Sequence, residues 1–138
     1  GGAPRRTTSG VDHARGAMVL AVMQARLGLD ASDLDVYVST VGGARAQEPS
    51  ADLAVAVSLA SAMRRSTPRS GLVVIGEVGL TGEIRQCVGV RQRLAEAQRL
   101  GFTRAVVPAQ GSQDLAGIEG LDVLTVSDLA SAVRVALP

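Results

Sequence analysis

The chain is 138 residues long, 46% hydrophobic and 20% charged, with a formal net charge of +1, which is the length of one domain and the balance of a globular chain. No apolar run approaches the roughly 18 residues of a membrane span, and the start lacks a signal peptide's charged and leucine-rich parts, so a cytoplasmic protein is expected. Every basic residue is arginine, which excludes P-loop, Schiff-base and serine-lysine chemistry within this sequence, and the single Cys87 excludes an internal disulfide or a multi-cysteine zinc site.

Residues 1–10 are basic and turn-rich and read as a linker, with the folded domain over 11–138. Residues 11–27, VDHARGAMVLAVMQARL, are apolar on nearly every side through the middle, which predicts a buried helix closed by Gly28 and Asp30. Residues 34–41, LDVYVSTV, alternate as a strand does, with Val36, Val38 and Thr40 on one face. Gly42 and Gly43 break it, and residues 44–48 read as a short return strand. Pro49 and Ser50 open a second helix whose small and aliphatic residues place it deep in the core.

The breaker segment 66–70 is followed by LVVIGEV at 72–78, a continuous apolar run that suits a strand covered on both faces. A turn through Thr81 and Gly82 leads to a hairpin partner at 83–87, and residues 88–100 predict an amphipathic helix with Val90, Leu94 and Ala97 on its buried stripe, ended by Gly101. Strands at 104–108 and 121–126 and a helix at 128–137 complete an α/β pattern in which helices cover a mixed sheet.

The segments EPSADLAVAVSLASAM, GEVGLTGEIRQCVGVRQRLAEAQRLGF and RAVVP, with PRRTTSGVDHARGAMVLAVMQARLGL at the start, resemble the Lon-protease-like domain of the RadA (Sms) family of bacterial DNA repair proteins over about residues 4–137. Lon proteases and a magnesium-chelatase-like ATPase family carry relatives of GEVGLTGEIR; the PRR and SGVD segments and Arg15 favour the RadA family. The resemblance implies a Lon-protease-like, ribosomal-protein-S5 domain-2-like fold. It also implies that a zinc finger and a RecA-like ATPase core lie outside this sequence, so ATP, magnesium and zinc would be bound there. The implied role is a part of a DNA-dependent ATPase that drives branch migration of recombination intermediates as a hexameric ring, with DNA and the RecA recombinase as partners.

In Lon proteases a serine in a PSAG segment at a helix start attacks the peptide, and a lysine in a GGLKEK-like segment is its base. The resemblance puts Ser50 on the serine, Asp52 on the motif's last glycine, Gly89 on the second glycine of the lysine segment and Arg91 on the lysine. Guanidinium is not deprotonated in proteins, so Arg91 cannot be the base. Ser50 and Arg91 are therefore expected to adjoin as the relic of a dyad, and no catalytic residue is expected. The residues alone leave three roles for Ser50: a helix N-cap, a retained binding surface, or the nucleophile of a serine peptidase.

Other signals are weaker. Gly76, Gly79 and Gly82 match a G-x-x-G-x-x-G spacing but precede no helix directly. His13 has no metal-ligand spacing around it; Cys87 precedes an arginine-bearing helix, whose charge works to lower a thiol pKa, but it is expected to be an ordinary, partly buried cysteine. Arginines cluster at Arg5 and Arg6, at Arg64, Arg65 and Arg69, and at Arg85, Arg91, Arg93 and Arg99. Such forks suit phosphate oxygens, so Arg5, Arg6, Arg91 and Arg93 are the first candidates for sequence-independent DNA contact, with Arg64 and Arg65 behind them. A solvated face, or cations placed at helix C-termini, accounts for the same residues.

Overall fold

The computed structural model describes residues 3–115 and 118–138. Its elements run β1 (Arg6–Ser9), α1 (His13–Leu27), β2 (Val36–Ser39), α2 (Asp52–Arg64), β3 (Leu72–Val74), β4 (Glu77–Val78), β5 (Ile84–Arg85), α3 (Val90–Arg99), β6 (Arg104–Pro108), β7 (Asp122–Val126) and α4 (Leu129–Ala136), with three 3-10 turns between them. The α/β alternation and the mixture of parallel and antiparallel pairing are as expected, although the strands form three sheets rather than one: β1–β2 parallel, β3–β6–β7 parallel, and the antiparallel hairpin β4–β5. No helix among the described residues is long and apolar enough to cross a membrane.

The layers follow from which side chains each strand buries. In β6, Val106 joins one core with α1, α2 and α4, while its neighbours Ala105 and Val107 join a second core with Leu94 of α3. Successive strand residues point to opposite faces, so this sheet is sandwiched between the α1/α2/α4 layer and α3. On the far side of that helical layer, Val36 and Val38 turn inward from β2 while Tyr37 and Ser39 face out. The order through the molecule is therefore β1/β2, then α1/α2/α4, then β3/β6/β7, then α3.

Within this stack α2 is central: Leu53, Val55, Ala56, Val57, Leu59 and Ala60 are all buried, and of its first two turns only Ser58 is exposed. Helix α1 is less enclosed than its composition suggested, burying Gly16, Val19, Leu20, Val22 and Met23 and leaving Ala17 and Ala21 to solvent. It starts at Asp12, whose carboxylate accepts from the Arg15 N–H at 2.9 Å, and stops at Gly28 in the left-handed region.

Three local expectations are corrected. Residues 6–9, placed in a linker, form β1 in register with β2, from Arg6 opposite Val36 to Ser9 opposite Ser39. The Arg6 guanidinium fixes this pairing by donating to the carbonyls of Leu34, Ala31 (2.7 Å) and Arg5 (3.2 Å). Residues 44–48 form no return strand: Gly42 and Gly43 both sit at positive φ, and the segment makes only the isolated bridge of Ala46 to Val11. The run 72–78 is not one strand but two, parted at Ile75 and Gly76. There the Gly76 N–H donates to the Ser50 carbonyl and its own carbonyl accepts from Leu53, both at 3.0 Å. A Cβ on Gly76 would lie 3.0 Å from Ile84 and 3.1 Å from Leu53, so a larger residue would push against the start of α2.

The same junction carries the one buried ionised side chain among the described residues. Asp52, 3% exposed, accepts from Arg15 Nε at 2.8 Å and Nη2 at 2.6 Å, and from the Val78 N–H at 3.1 Å. Glu77 lies 3.6 Å from the same guanidinium. Removing one partner of such a pair strands the other, at about 3–5 kcal/mol when both are buried. Arg15 is 29% exposed, so Arg15→Ala is expected to cost about 3 kcal/mol in a denaturant melt. The double variant Arg15→Met with Asp52→Leu should recover part of that loss, because no charge is left stranded.

Candidate functional site

Ser50 lies in the 3-10 turn Pro49–Ala51 that leads into α2. It is not the cap of that helix: the N-cap position is Ala51, and no side chain bonds there. The N–H groups a cap would serve are already taken, Ala51 by the Glu48 carbonyl, Asp52 by Pro49 and Leu53 by Gly76. The Ser50 hydroxyl instead donates to Glu48 Oε2 at 3.2 Å and accepts from Arg93 Nη1 at 3.1 Å. Arg93 Nη2 closes the triangle onto Glu48 Oε2 at 2.7 Å. The three groups stand at one wall of a cleft of about 310 Å³ that also meets Glu77, Gln86, Cys87 and Val88.

The arginine on the serine is thus Arg93, whereas the resemblance matched Arg91 to the lysine. Helical geometry separates the two. At 100° per residue they flank the buried Val90–Leu94–Ala97 stripe on opposite sides, and the side that carries Arg93 is the one that meets Ser50. Arg91 is exposed on α3. Hydrogen bonding from Arg93, then from Ser50, together with the Arg93 charge, holds the Glu48 carboxyl below its ordinary pKa of 4.5. Nothing in the sequence pairs Glu48 with Arg93, which stand 45 residues apart.

Asp52, which stands where the motif has its last glycine, is the buried acceptor for Arg15. Cys87 is half-buried, as expected; burial first, with the Glu77 and Asp52 charges, pushes its thiol pKa up and outweighs the Glu77 backbone hydrogen bond and the Arg93 charge. His13 is the exposed first residue of α1. Gly76, Gly79 and Gly82 serve the α2 junction and the β4–β5 turn rather than a helix start.

The arginines divide by what they already hold. Arg6 is spent on backbone carbonyls and Arg93 on Glu48, while Arg99 binds Glu96 at 2.5 Å and Arg85 lies 3.5 Å from Glu83. Arg5 and Arg65 are exposed. A different group forms around the C-terminal ends of α1, α2 and α4, each of which carries an arginine in its last turn: Arg26, Arg64 and Arg134. With Arg69 they line a cleft of about 720 Å³ whose wall includes no carboxylate side chain. Arg69 and Arg134 continue into an adjoining cleft of about 360 Å³ with Arg104 and Asp122. Arg69 Nε donates to the Val135 carbonyl at 2.9 Å, and Arg134 Nη2 to Ser131 Oγ at 3.0 Å. Of these, Arg64 was singled out as a DNA candidate from sequence; Arg26, Arg104 and Arg134 were missed, because their convergence depends on how three helices pack.

The sequence pattern of the family described as Lon protease (S16) C-terminal proteolytic domain matches residues 15–138. Among curated proteins the chain is 40% identical over 136 residues to a DNA repair protein RadA of Bacillus subtilis, covering 99% of this chain and 30% of the relative. It is 46% identical over 133 residues to RadA of Mycolicibacterium smegmatis, covering 96% and 28%. To RadA of Mycobacterium tuberculosis it is 48% identical over 126 residues, covering 91% and 26%. The chain spans less than a third of the length of these relatives. It belongs to the Lon protease C-terminal domain family, and within that family it is similar to the segment carried by RadA DNA repair proteins.

Proposed function

We propose that the chain is a noncatalytic Lon-like module of a RadA-type DNA repair ATPase, which contributes to ring assembly and holds DNA by its phosphates. The observation that carries the noncatalytic part is the Glu48–Arg93–Ser50 triangle. A nucleophilic serine needs a partner that takes its proton near neutral pH. Arg93 only donates, and the acceptor of the hydroxyl among the described residues is Glu48, made a weaker base by the arginine it binds. The DNA part rests on the cleft lined by Arg26, Arg64, Arg69 and Arg134. Converging guanidinium groups with no carboxylate side chain in the wall suit a phosphodiester backbone. Tyr37 and Phe102 are the only aromatic residues, which offers little base stacking and points to sequence-independent contact. In this reading ATP hydrolysis, branch migration and cooperation with RecA recombinase belong to the whole repair protein, which works in the bacterial cytoplasm.

The chemistry is tested by incubating the chain with casein and with a fluorophosphonate. No cleavage and no adduct on Ser50 are expected, and labelling there would establish the peptidase reading instead. Ser50→Ala should cost only about 0.5–1 kcal/mol in a denaturant melt, as for loss of partly solvated hydrogen bonds.

Titrating Glu48 by NMR tests the ion pair. Its carboxyl is expected to titrate below 4.5 and to move up in Arg93→Ala. A carboxyl whose folded pKa is depressed stabilises the fold above its unfolded pKa. Any contribution from this pair is therefore present above about pH 4.5, is lost as acid takes the pH through the folded value, and is missing in Arg93→Ala.

Anisotropy of a labelled duplex over a salt series tests the DNA cleft. Joint replacement of Arg64, Arg69 and Arg134 by alanine should weaken binding and lower the salt slope by about one unit for each lost phosphate contact. Replacing Arg5 and Arg91, two exposed members of the first-choice set, should change it less. The reverse order would move the interface to the β1 and α3 surfaces.

A further inference from the structure

The arginine cleft at the helix C-termini continues toward the sheet. After α2 the chain crosses the end of α4, where the Arg69 N–H donates to the Ala136 carbonyl at 3.0 Å. It meets the strands at Gly71, whose carbonyl accepts from the Arg104 N–H at 3.0 Å, so residues 69–71 join the end of a helix to the start of the sheet. Arg104 opens β6 two residues before Val106, and both therefore point to the face that packs on α1, α2 and α4. The Arg104 side chain comes up beside the end of α4, into the cleft of about 360 Å³ that Arg69 and Arg134 also line. Its register partner on β7 is Asp122, which lines the same cleft. The two form no ion pair, and among the described residues Arg104 has no other.

We infer that the two clefts are one track: a DNA strand seated at Arg26 and Arg64 passes Arg69 and Arg134 and places a further phosphate at Arg104, where Asp122 bounds the run. This rests on the phosphate reading of the helix-end cleft and adds to it one attracting residue and one opposing residue. Across both clefts five arginines face a single carboxylate, and Arg69 and Arg134 belong to both walls. Each of these shared arginines is held through one nitrogen, Arg69 by the Val135 carbonyl and Arg134 by Ser131 Oγ, and keeps other N–H groups for acceptors on either side. Between the arginines the walls are aliphatic, with Leu27, Val133 and Leu137 in the first cleft and Leu124 and Val135 in the second, which suits the carbon face of a sugar between two phosphates. Asp122 belongs to the second cleft alone and is exposed, so its charge acts against the phosphate that Arg104 attracts. A strand running further would meet a carboxylate instead of a guanidinium.

The test is anisotropy of a labelled duplex over a salt series, on variants whose folding is checked by circular dichroism. Arg104→Gln, which keeps most of the stem and loses the charge, should weaken binding about two- to fivefold and lower the salt slope by about one unit. On the background of the Arg64, Arg69 and Arg134 triple alanine variant the same change should have no effect, because the strand that would reach Arg104 is no longer seated. Asp122→Asn should tighten binding about two- to fivefold, the gain fading as salt rises, and such a gain cannot come from damage to the fold. Glu83→Gln removes the same charge at the other end of α4, where Glu83 bridges Asp128, and should bind as the parent does. Equal tightening by Glu83→Gln would reduce the Asp122 effect to net charge and overturn its place in the track. An Arg104→Gln effect undiminished on the triple background would make the second cleft a separate site and overturn the single track. Unchanged affinity and slope in Arg104→Gln, beside a weakened triple variant, would overturn the extension and leave the helix-end cleft standing. A triple variant that binds as the parent does would overturn the phosphate reading itself, and the extension with it.

Discussion

The carboxylate of Asp52 is the constraint around which the domain is arranged. An ionised group that is 3% exposed is tolerated only with its charge matched and its lone pairs occupied. Arg15 supplies two donors from α1, and the Val78 N–H supplies a third from β4. Three elements distant in sequence are thereby held at one point, where α2 begins. The Asp12 cap sets the first turn of α1 and so the position of Arg15; Gly76 admits the α2 start against the broken strand. Both features serve the geometry of that pair, and Ser50 inherits its place from them.

Beside this anchor, Arg93, Glu48 and Ser50 satisfy one another's hydrogen bonds. A lysine there would present a point charge able to lose its proton once desolvated, which is what a serine nucleophile needs. A guanidinium keeps its proton and has donors to spare, so one nitrogen of Arg93 takes the hydroxyl of Ser50 and another takes Glu48. The serine becomes a member of an exposed polar bridge between the α2 approach and α3. The hydroxyl of Ser50 thereby has both a donor and an acceptor as partners.

Much of the order of elements was legible in the sequence because periodicity reports which face is buried. The Val90–Leu94–Ala97 stripe of α3, the apolar α2 and the RAVVP strand read correctly for that reason. Expectation failed where a partner distant in the sequence decides. Arg6–Ser9 is a strand because β2 and the carbonyls of Ala31 and Leu34 are beside it, and residues 72–78 divide because the Ser50–Leu53 backbone binds Gly76. The site shows the same division. Ser50 was found through its motif, but residue matching placed Arg91 on the lysine, and only the facing of α3 distinguishes it from Arg93. Arg26 and Arg134 carried no signal of their own, since a cation in the last turn of a helix is ordinary until three such turns are packed together.

That packing bears on how the arginine cleft is built. Three helix C-termini brought side by side present their unpaired carbonyls and the negative ends of their dipoles to one region. Arginines in those last turns offset that charge, so the fold alone gives them a reason to be there. An arginine used this way is not exhausted, because its guanidinium has more donors than one carbonyl can accept. Arg69 gives Nε to the Val135 carbonyl and Arg134 gives Nη2 to Ser131, contacts that restrict each side chain while leaving other N–H groups for an acceptor in the cleft. Side chains already restrained by the fold lose less freedom on binding an anion than extended ones would. The helix ends and the phosphate reading therefore draw on the same residues without competing for them, whereas Arg6, Arg93 and Arg99 are committed to acceptors within the fold.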